Sequence, residues 1–209
     1  MSQRGRAYHR LLNRLEAGDA KFIDIACCMG YDLRKLVLDG VPPASLAGVE
    51  LEQKFIDLGY EMFGDRETLK ETKMLRGNIL DPVDAAPWPQ LRGQFDVANF
   101  GMVLHSFTWE QQLVMLEKGL HVLKNVPGTS MMGVACGNLN GRAETWLGRQ
   151  VPNHNPDTFG KLVAEFEAKT ATKWEVDAHI DCAISVHDGK RGWIPRDMKR
   201  FVFEMTRVA

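Results

Sequence analysis

Five short, largely apolar runs punctuate residues 21 to 138: "KFIDIAC", apolar on both sides, then "SLAGVEL", "KMLRGNIL", "FDVANFGMVL" and "SMMGVACGN". Most of the gaps between them carry helical spacing instead, in "DLRKLVLDG", "EQKFIDLGYEMFGD" and "TWEQQLVMLEKGLHVLKN". A run apolar on both faces reads as a strand buried in a parallel sheet, and parallel neighbours need crossovers long enough to hold a helix. The alternation therefore predicts βαβ units with right-handed crossovers and an α/β, doubly wound, Rossmann-like sheet. Ligands of such sheets bind beyond the carboxyl ends of the strands, at the switch point beside the first strand.

The flanks differ. Before the first strand, Tyr8, Leu11, Leu12 and Leu15 recur at helical spacing, and Gly18 is placed to stop that helix. After the fifth strand, "PDTFGKLVAEFEAKT" reads as a helix opened by Asp157. "KWEVDAHIDCAISVH" and "MKRFVFEMTRV" read as long alternating strands joined by the loop "DGKRGWIPRD". These two form an antiparallel hairpin, which brings the sheet to seven mostly parallel strands. The expected organisation is one domain over 1–209: a short N-terminal helix in 1–20, a cofactor-binding core in 21–140, and a C-terminal helix with antiparallel strands in 141–209. The irregular segments 81–94 and 138–156 are expected to wall a pocket, with His154 and "RQVPNHNP" in a lid.

Composition narrows the functions. With 26 basic and 27 acidic residues the formal net charge is -1, which favours neither nucleic acid nor an anionic membrane surface as a partner. No apolar stretch is long enough for a membrane span, and the polar N-terminus lacks a signal-peptide core, so a soluble cytoplasmic protein is expected. Cys27, Cys28, Cys136 and Cys182 make no CxxC pair, and the six histidines show no HxxxH spacing. No metal is expected.

The chemistry lies at the strand ends. After Asp24, a turn of Ala26, Cys27, Cys28, Met29 and Gly30 leads into the helix, mostly small residues of the kind a nucleotide-binding turn needs where backbone approaches ligand. The same turn is also compatible with an ordinary strand-to-helix connection. Glu50 ends the second strand, where a carboxylate can accept from both hydroxyls of an adenosine ribose, or else is an exposed strand-end glutamate with no role. Asn78 and Ile79 after the third strand suit an adenine ring, although Asn78 is equally a turn residue. Asn99 to His105 follow the fourth strand, below the reactive end of a ligand. His105 is a base by its ordinary pKa near 6.5, or else a packing or substrate-binding histidine. Phe100, Met102, Phe107, Trp109 and Trp146 either line an apolar substrate pocket or belong to the core.

"FIDIACCMGYDLRKLVLDG", "LAGVELEQKFIDLGYEMF", "GNILDP", "FDVANFGMVLHSFTWEQQ" and "ATKWEV" together resemble the class I S-adenosylmethionine-dependent methyltransferases of fungal secondary metabolism that modify terpenoid and polyketide-terpenoid scaffolds. The resemblance runs from Lys21 to the C-terminus. It implies that Asp24, Ala26, Cys27 and Gly30 line the methionine part of S-adenosylmethionine, that Glu50 holds the ribose with Leu51 beside the adenine, that Asn78 and Ile79 meet the adenine, and that Asn99 lies below. The substrate would be small and apolar.

The sequence departs from the family pattern in having Ala26 for glycine, Asn78 for aspartate, and about twenty residues before the first strand. These departures carry a second reading, a methyltransferase-fold enzyme that has lost methyl transfer and cyclises an apolar terpenoid or polyene, as a pericyclase does. A third reading is a non-catalytic protein-binding module, and an exposed apolar patch would allow a homodimer under any of the three.

Overall fold

The computed structural model describes residues 3–16, 18, 20–146, 148–185 and 197–209. Its elements run α1 (Gln3–Glu16), β1 (Phe22–Ile25), α2 (Tyr31–Leu38), β2 (Leu46–Glu50), α3 (Gln53–Phe63), β3 (Lys73–Arg76), β4 (Val97–Gly101), α4 (Trp109–Val122), β5 (Ser130–Asn138), β6 (Ala143–Trp146), β7 (Arg149–Pro152), α5 (Pro156–Thr170), β8 (Trp174–Ser185) and β9 (Met198–Arg207). Seven strands form one sheet in the order β3-β2-β1-β4-β5-β9-β8, and β6 pairs with β7 in a separate ribbon. The expected seven-stranded, mostly parallel sheet is therefore present, with β9 antiparallel to both β5 and β8. The loop expected between the last two strands, apart from Asp197, lies outside the described residues. None of the described helices is long and apolar enough to cross a membrane.

The chain divides into two units, Met1–Asn99 with His121–Lys124, and Phe100–Leu120 with Asn125–Ala209. In the first, β1 pairs in parallel with β2 and β4, and β2 with β3. Every residue of β1 and β2 is buried, which explains why their sequences show no polar alternation. Asp24 stands level with Gly48 on one side and Asn99 on the other, so the register gathers the strand ends where the site residues lie. Gly48 is required by packing: a Cβ there would sit 2.8 Å from both Cys27 Sγ and Leu33 Cδ1. Leu33 and Leu36 bury one face of α2, and Leu11, Leu12 and Leu15 bury one face of α1. The Tyr8 hydroxyl donates to Asp39 Oδ2 at 2.5 Å and so ties α1 to the end of α2.

In the second unit, Phe159, Leu162, Val163 and Phe166 form the buried stripe of α5, with the Phe159 ring 4.6 Å from Phe203 and 5.3 Å from Phe201. Burial of aromatic rings on this scale contributes about 2–3 kcal/mol each. The helix opens differently from the sequence expectation. Asn155 is its cap, accepting from Thr158 N–H at 2.9 Å while Thr158 Oγ1 accepts from Asn155 N–H at 3.1 Å, and Asp157 only adds a carboxylate to the first turn. Segment 138–156, expected to be irregular, contains the β6–β7 ribbon.

Candidate functional site

The turn from β1 into α2 alternates left-handed residues: Ala26 at φ 64°, Cys28 at φ 51° and Gly30 at φ 71°. Only glycine adopts this conformation without strain, and each of the other two costs about 1 kcal/mol. A Cβ at Gly30 would also meet the ends of two flexible side chains, Arg34 Nη1 and Met74 Cε, at 2.8 Å, and both would have to shift. The backbone turns because Ala26 and Cys27 N–H both donate to Val49 O, at 2.8 and 3.1 Å, and Gly30 N–H donates to Cys27 O at 2.7 Å. Cys27 is a packing residue. Its side chain is buried beside Gly48, and burial, with the Asp24 and Glu50 carboxylates adding, drives its thiol pKa far above the usual range.

Glu50, at the end of β2 and only 8 % exposed, completes the turn from outside. Its Oε2 accepts from Cys28 N–H at 2.8 Å and its Oε1 from Glu52 N–H at 3.1 Å. A carboxylate oxygen accepts more than one hydrogen bond, so two backbone donors fix the orientation of Glu50 and leave each oxygen able to take a hydroxyl. Beside it, Asp24 is buried and accepts at Oδ1 from Asn99 Nδ2 at 2.8 Å. Burial pushes the Asp24 carboxyl up to about 8, with the Asp32 and Glu50 charges adding and the Asn99 bond opposing. A buried acid that holds its proton at neutral pH ionises when a cation binds beside it, releasing that proton to solvent. One carboxylate for a vicinal diol and one acid for an ammonium are the acceptor set that a nucleoside joined to an amino acid requires, so these residues fit S-adenosylmethionine.

At the adenine end, Asn78 takes the turn role that was one of its two expected readings. Asn78 is a turn residue: its Oδ1 accepts from Leu80 N–H at 3.0 Å, its Nδ2 donates to Asp81 Oδ1 at 3.1 Å, and its carbonyl accepts from Trp88 Nε1 at 3.0 Å. Ile79 is buried and Leu51 is half exposed.

Sequence reasoning passed over Arg34. Its guanidinium reaches back to Met29 O, pairs with Asp65 at 2.8 Å just beyond α3, and lies 4.7 Å from the centre of the Phe63 ring. A buried arginine at the first turn of a helix carries no spacing signature. Cys28 is read from the sequence only as a turn residue, because what it contributes is its backbone N–H to Glu50.

His105 belongs to the second unit, in a 3-10 turn at Leu104–Ser106. Its Nδ1 is buried with no hydrogen-bond partner among the described residues, and burial lowers its pKa below 6.5. The ring is therefore neutral at pH 7 and able to accept a proton. Of the aromatic and sulfur candidates, Phe100 is fully buried core, Trp109 donates to Glu165 Oε2 at 2.8 Å, and Met102 and Trp146 are exposed. Met102 takes φ 56° directly after β4. His154 is 1 % exposed, which corrects its expected place in a lid. Among the described residues no three His, Cys, Asp or Glu side chains converge as a metal site.

No family model matches the chain. The O-methyltransferase phiE of a fungal species (strain ATCC 74256) is 36% identical over 172 residues, covering 81% of this chain and 57% of phiE. The O-methyltransferase atr3 of Stereocaulon alpinum is 34% identical over 204 residues, covering 96% of this chain and 58% of atr3. The chain thus spans somewhat over half the length of these relatives. Among solved structures, the [4+2]-cyclase SpnF shares the fold at TM-score 0.65 and 13% identity, over 96% of this chain and 79% of its own. The geranyl diphosphate C-methyltransferase of Streptomyces coelicolor A3(2), solved with Mg2+, geranyl diphosphate and S-adenosyl-L-homocysteine, does so at TM-score 0.61 and 11% identity, over 98% and 81%. In its strand order the chain shares the methyltransferase fold, and in sequence it is similar to these fungal O-methyltransferases over 81% and 96% of its own length.

Proposed function

We propose that the chain is a small-molecule methyltransferase that uses S-adenosylmethionine and acts on an apolar scaffold of terpenoid or polyketide-terpenoid type. The observation that carries this reading is Glu50, a nearly buried carboxylate oriented by two backbone N–H groups at the end of β2, with acceptor capacity left on each oxygen. When bound, S-adenosylmethionine supplies an electrophilic methyl group. Glu50 would take the ribose hydroxyls and Asp24 the ammonium, while Leu51 and Ile79 give the adenine apolar walls. His105, kept neutral by burial, takes the proton of an acceptor hydroxyl, and an acceptor already ionised, such as a carboxylate, needs no such help. Positioning supplies most of the acceleration, about 7–11 kcal/mol, against about 3–5 kcal/mol for a general base.

The cyclase reading draws on Asn78, whose amide is engaged in its own turn, and it is kept as the alternative. Calorimetric titration with S-adenosylmethionine and S-adenosylhomocysteine separates the two. Methyl transfer requires Kd values on the order of micromolar, about −8 kcal/mol. It also requires that Glu50→Gln, which keeps an acceptor for Cys28 N–H but removes the charge, weaken binding at least about tenfold. Absence of binding at millimolar ligand by the folded protein would overturn the methyltransferase reading.

A further inference from the structure

The 3-10 turn that carries His105 is short, closed by Ser106 N–H to Val103 O at 3.0 Å and Phe107 N–H to Leu104 O at 3.2 Å. A single turn of this kind holds itself weakly. Gln112, in the first half of α4 and 0 % exposed, clamps it from one side: its Nε2 donates to Leu104 O at 3.0 Å and to Phe107 O at 3.1 Å. Carbonyl oxygens only accept, so the amide nitrogen faces them and Oε1 faces His154 Nε2, 2.7 Å away. An amide oxygen also only accepts. His154 therefore carries its proton on Nε2 and presents a bare Nδ1 to Thr158 Oγ1 at 3.1 Å. The imidazole is walled by Trp109, Phe159 and Phe201, with centroids 5.6–6.0 Å away.

We propose that Gln112 and His154 are positioning residues for His105, a buried relay of donors from the start of α5 that locks the turn on which His105 stands. A leucine would fill the place of Gln112 with no polar group to bury. The polar pair costs desolvation, and what it secures is the conformation of two specific carbonyls flanking His105. This inference rests on the reading of His105 as the proton acceptor.

The test is the His105 ring itself, followed by 1H–13C correlation of the six histidines in the full chain with S-adenosylhomocysteine added, assigned with His105→Gln. Gln112→Leu and His154→Leu are expected to move the His105 signal and to speed amide exchange at Ser106 and Phe107 at least about tenfold, with Ile23 and Val49 in the sheet unaffected. His154→Gln, whose side-chain N–H can replace the imidazole donor, is expected to keep the native signal and exchange within about threefold. A folded leucine variant with the His105 signal and both amides unchanged would overturn the proposal. The native protein provides a test that needs no variant: ring 15N shifts that assign His154 as the Nδ1–H tautomer also overturn it. Full activity in His105→Gln would remove the base role and leave the positioning result standing, so the two readings fail separately.

Discussion

Ala26 holds a conformation that its Cβ opposes, at φ 64° between two hydrogen-bonded neighbours. Ala26→Gly removes the strain and adds freedom to the unfolded chain, which offsets part of the gain. The expected result is a net stabilisation of up to about 1 kcal/mol in urea unfolding, with S-adenosylhomocysteine affinity equal or higher. Asp24 makes a prediction about protons. Its carboxyl is pushed up to about 8, and a cationic amino group bound beside it favours the ionised form. Binding of S-adenosylhomocysteine at pH 7 should therefore release close to one proton, and affinity should rise with pH up to about 8. Titrations in two buffers of different ionisation enthalpy measure this release, and Asp24→Asn should abolish it. The placement of Asp24, Gly30 and Glu50 at neighbouring strand ends was legible in the sequence because strand ends are easily located. The roles of Cys28 and Gln112 were not, since one acts through its backbone and the other through a buried amide, and neither leaves a periodic trace.

Arg34 connects elements that the sequence presents separately. It joins the turn before α2 to Asp65 after α3, and packs on Phe63 and Tyr60. Arg34→Met keeps much of the apolar stem but leaves Met29 O and Asp65 without their donor. It should cost about 2–3 kcal/mol of stability, discounted from a fully buried pair because Asp65 is partly exposed, and should weaken cofactor binding more than a distant substitution of equal cost. Elements with strong periodicity were placed well from sequence: the fifth strand was expected over its whole length, Ser130–Asn138. The β6–β7 ribbon escaped because "AETW" and "RQVP" are mostly exposed and so lack the alternation that a half-buried strand shows. The cap of α5 was misplaced by two residues, since Asn155 and Asp157 are both plausible by type and only the geometry of Thr158 selects between them.

At the scale of the whole molecule, two buried groups oppose each other in the pH dependence of stability. His154 is lowered to about 4 by burial, so between pH 4 and 6.5 the unfolded chain binds its proton and the folded chain does not, and stability falls as pH falls. Asp24, raised to about 8, does the reverse: between pH 3.8 and 8 the folded chain holds the extra proton, and stability falls as pH rises. Each has a slope of about 1.4 kcal/mol per pH unit. They nearly cancel between pH 4 and 6.5, where His105, also lowered, adds in the direction of His154. Native stability should thus fall with pH over that range only by the part that His105 adds. Asp24→Asn should unmask a loss of about 3 kcal/mol from pH 6.5 to 4, visible as a steep fall in the urea midpoint. The fold as a whole was the most legible feature of the sequence, because a sheet buried on both faces demands continuous apolar runs that few other architectures need.

The order of strands also governs when the molecule is complete. The last strand, Met198–Arg207, is an interior strand that β5 and β8 both require as a hydrogen-bonded neighbour. During synthesis β5 and β8 emerge first with unpaired edges, and the second unit cannot close until residue 207 has left the ribosome. A nascent chain of this protein passes through a stage in which the first unit can already be folded while half-built sheet in the second is open to other strands.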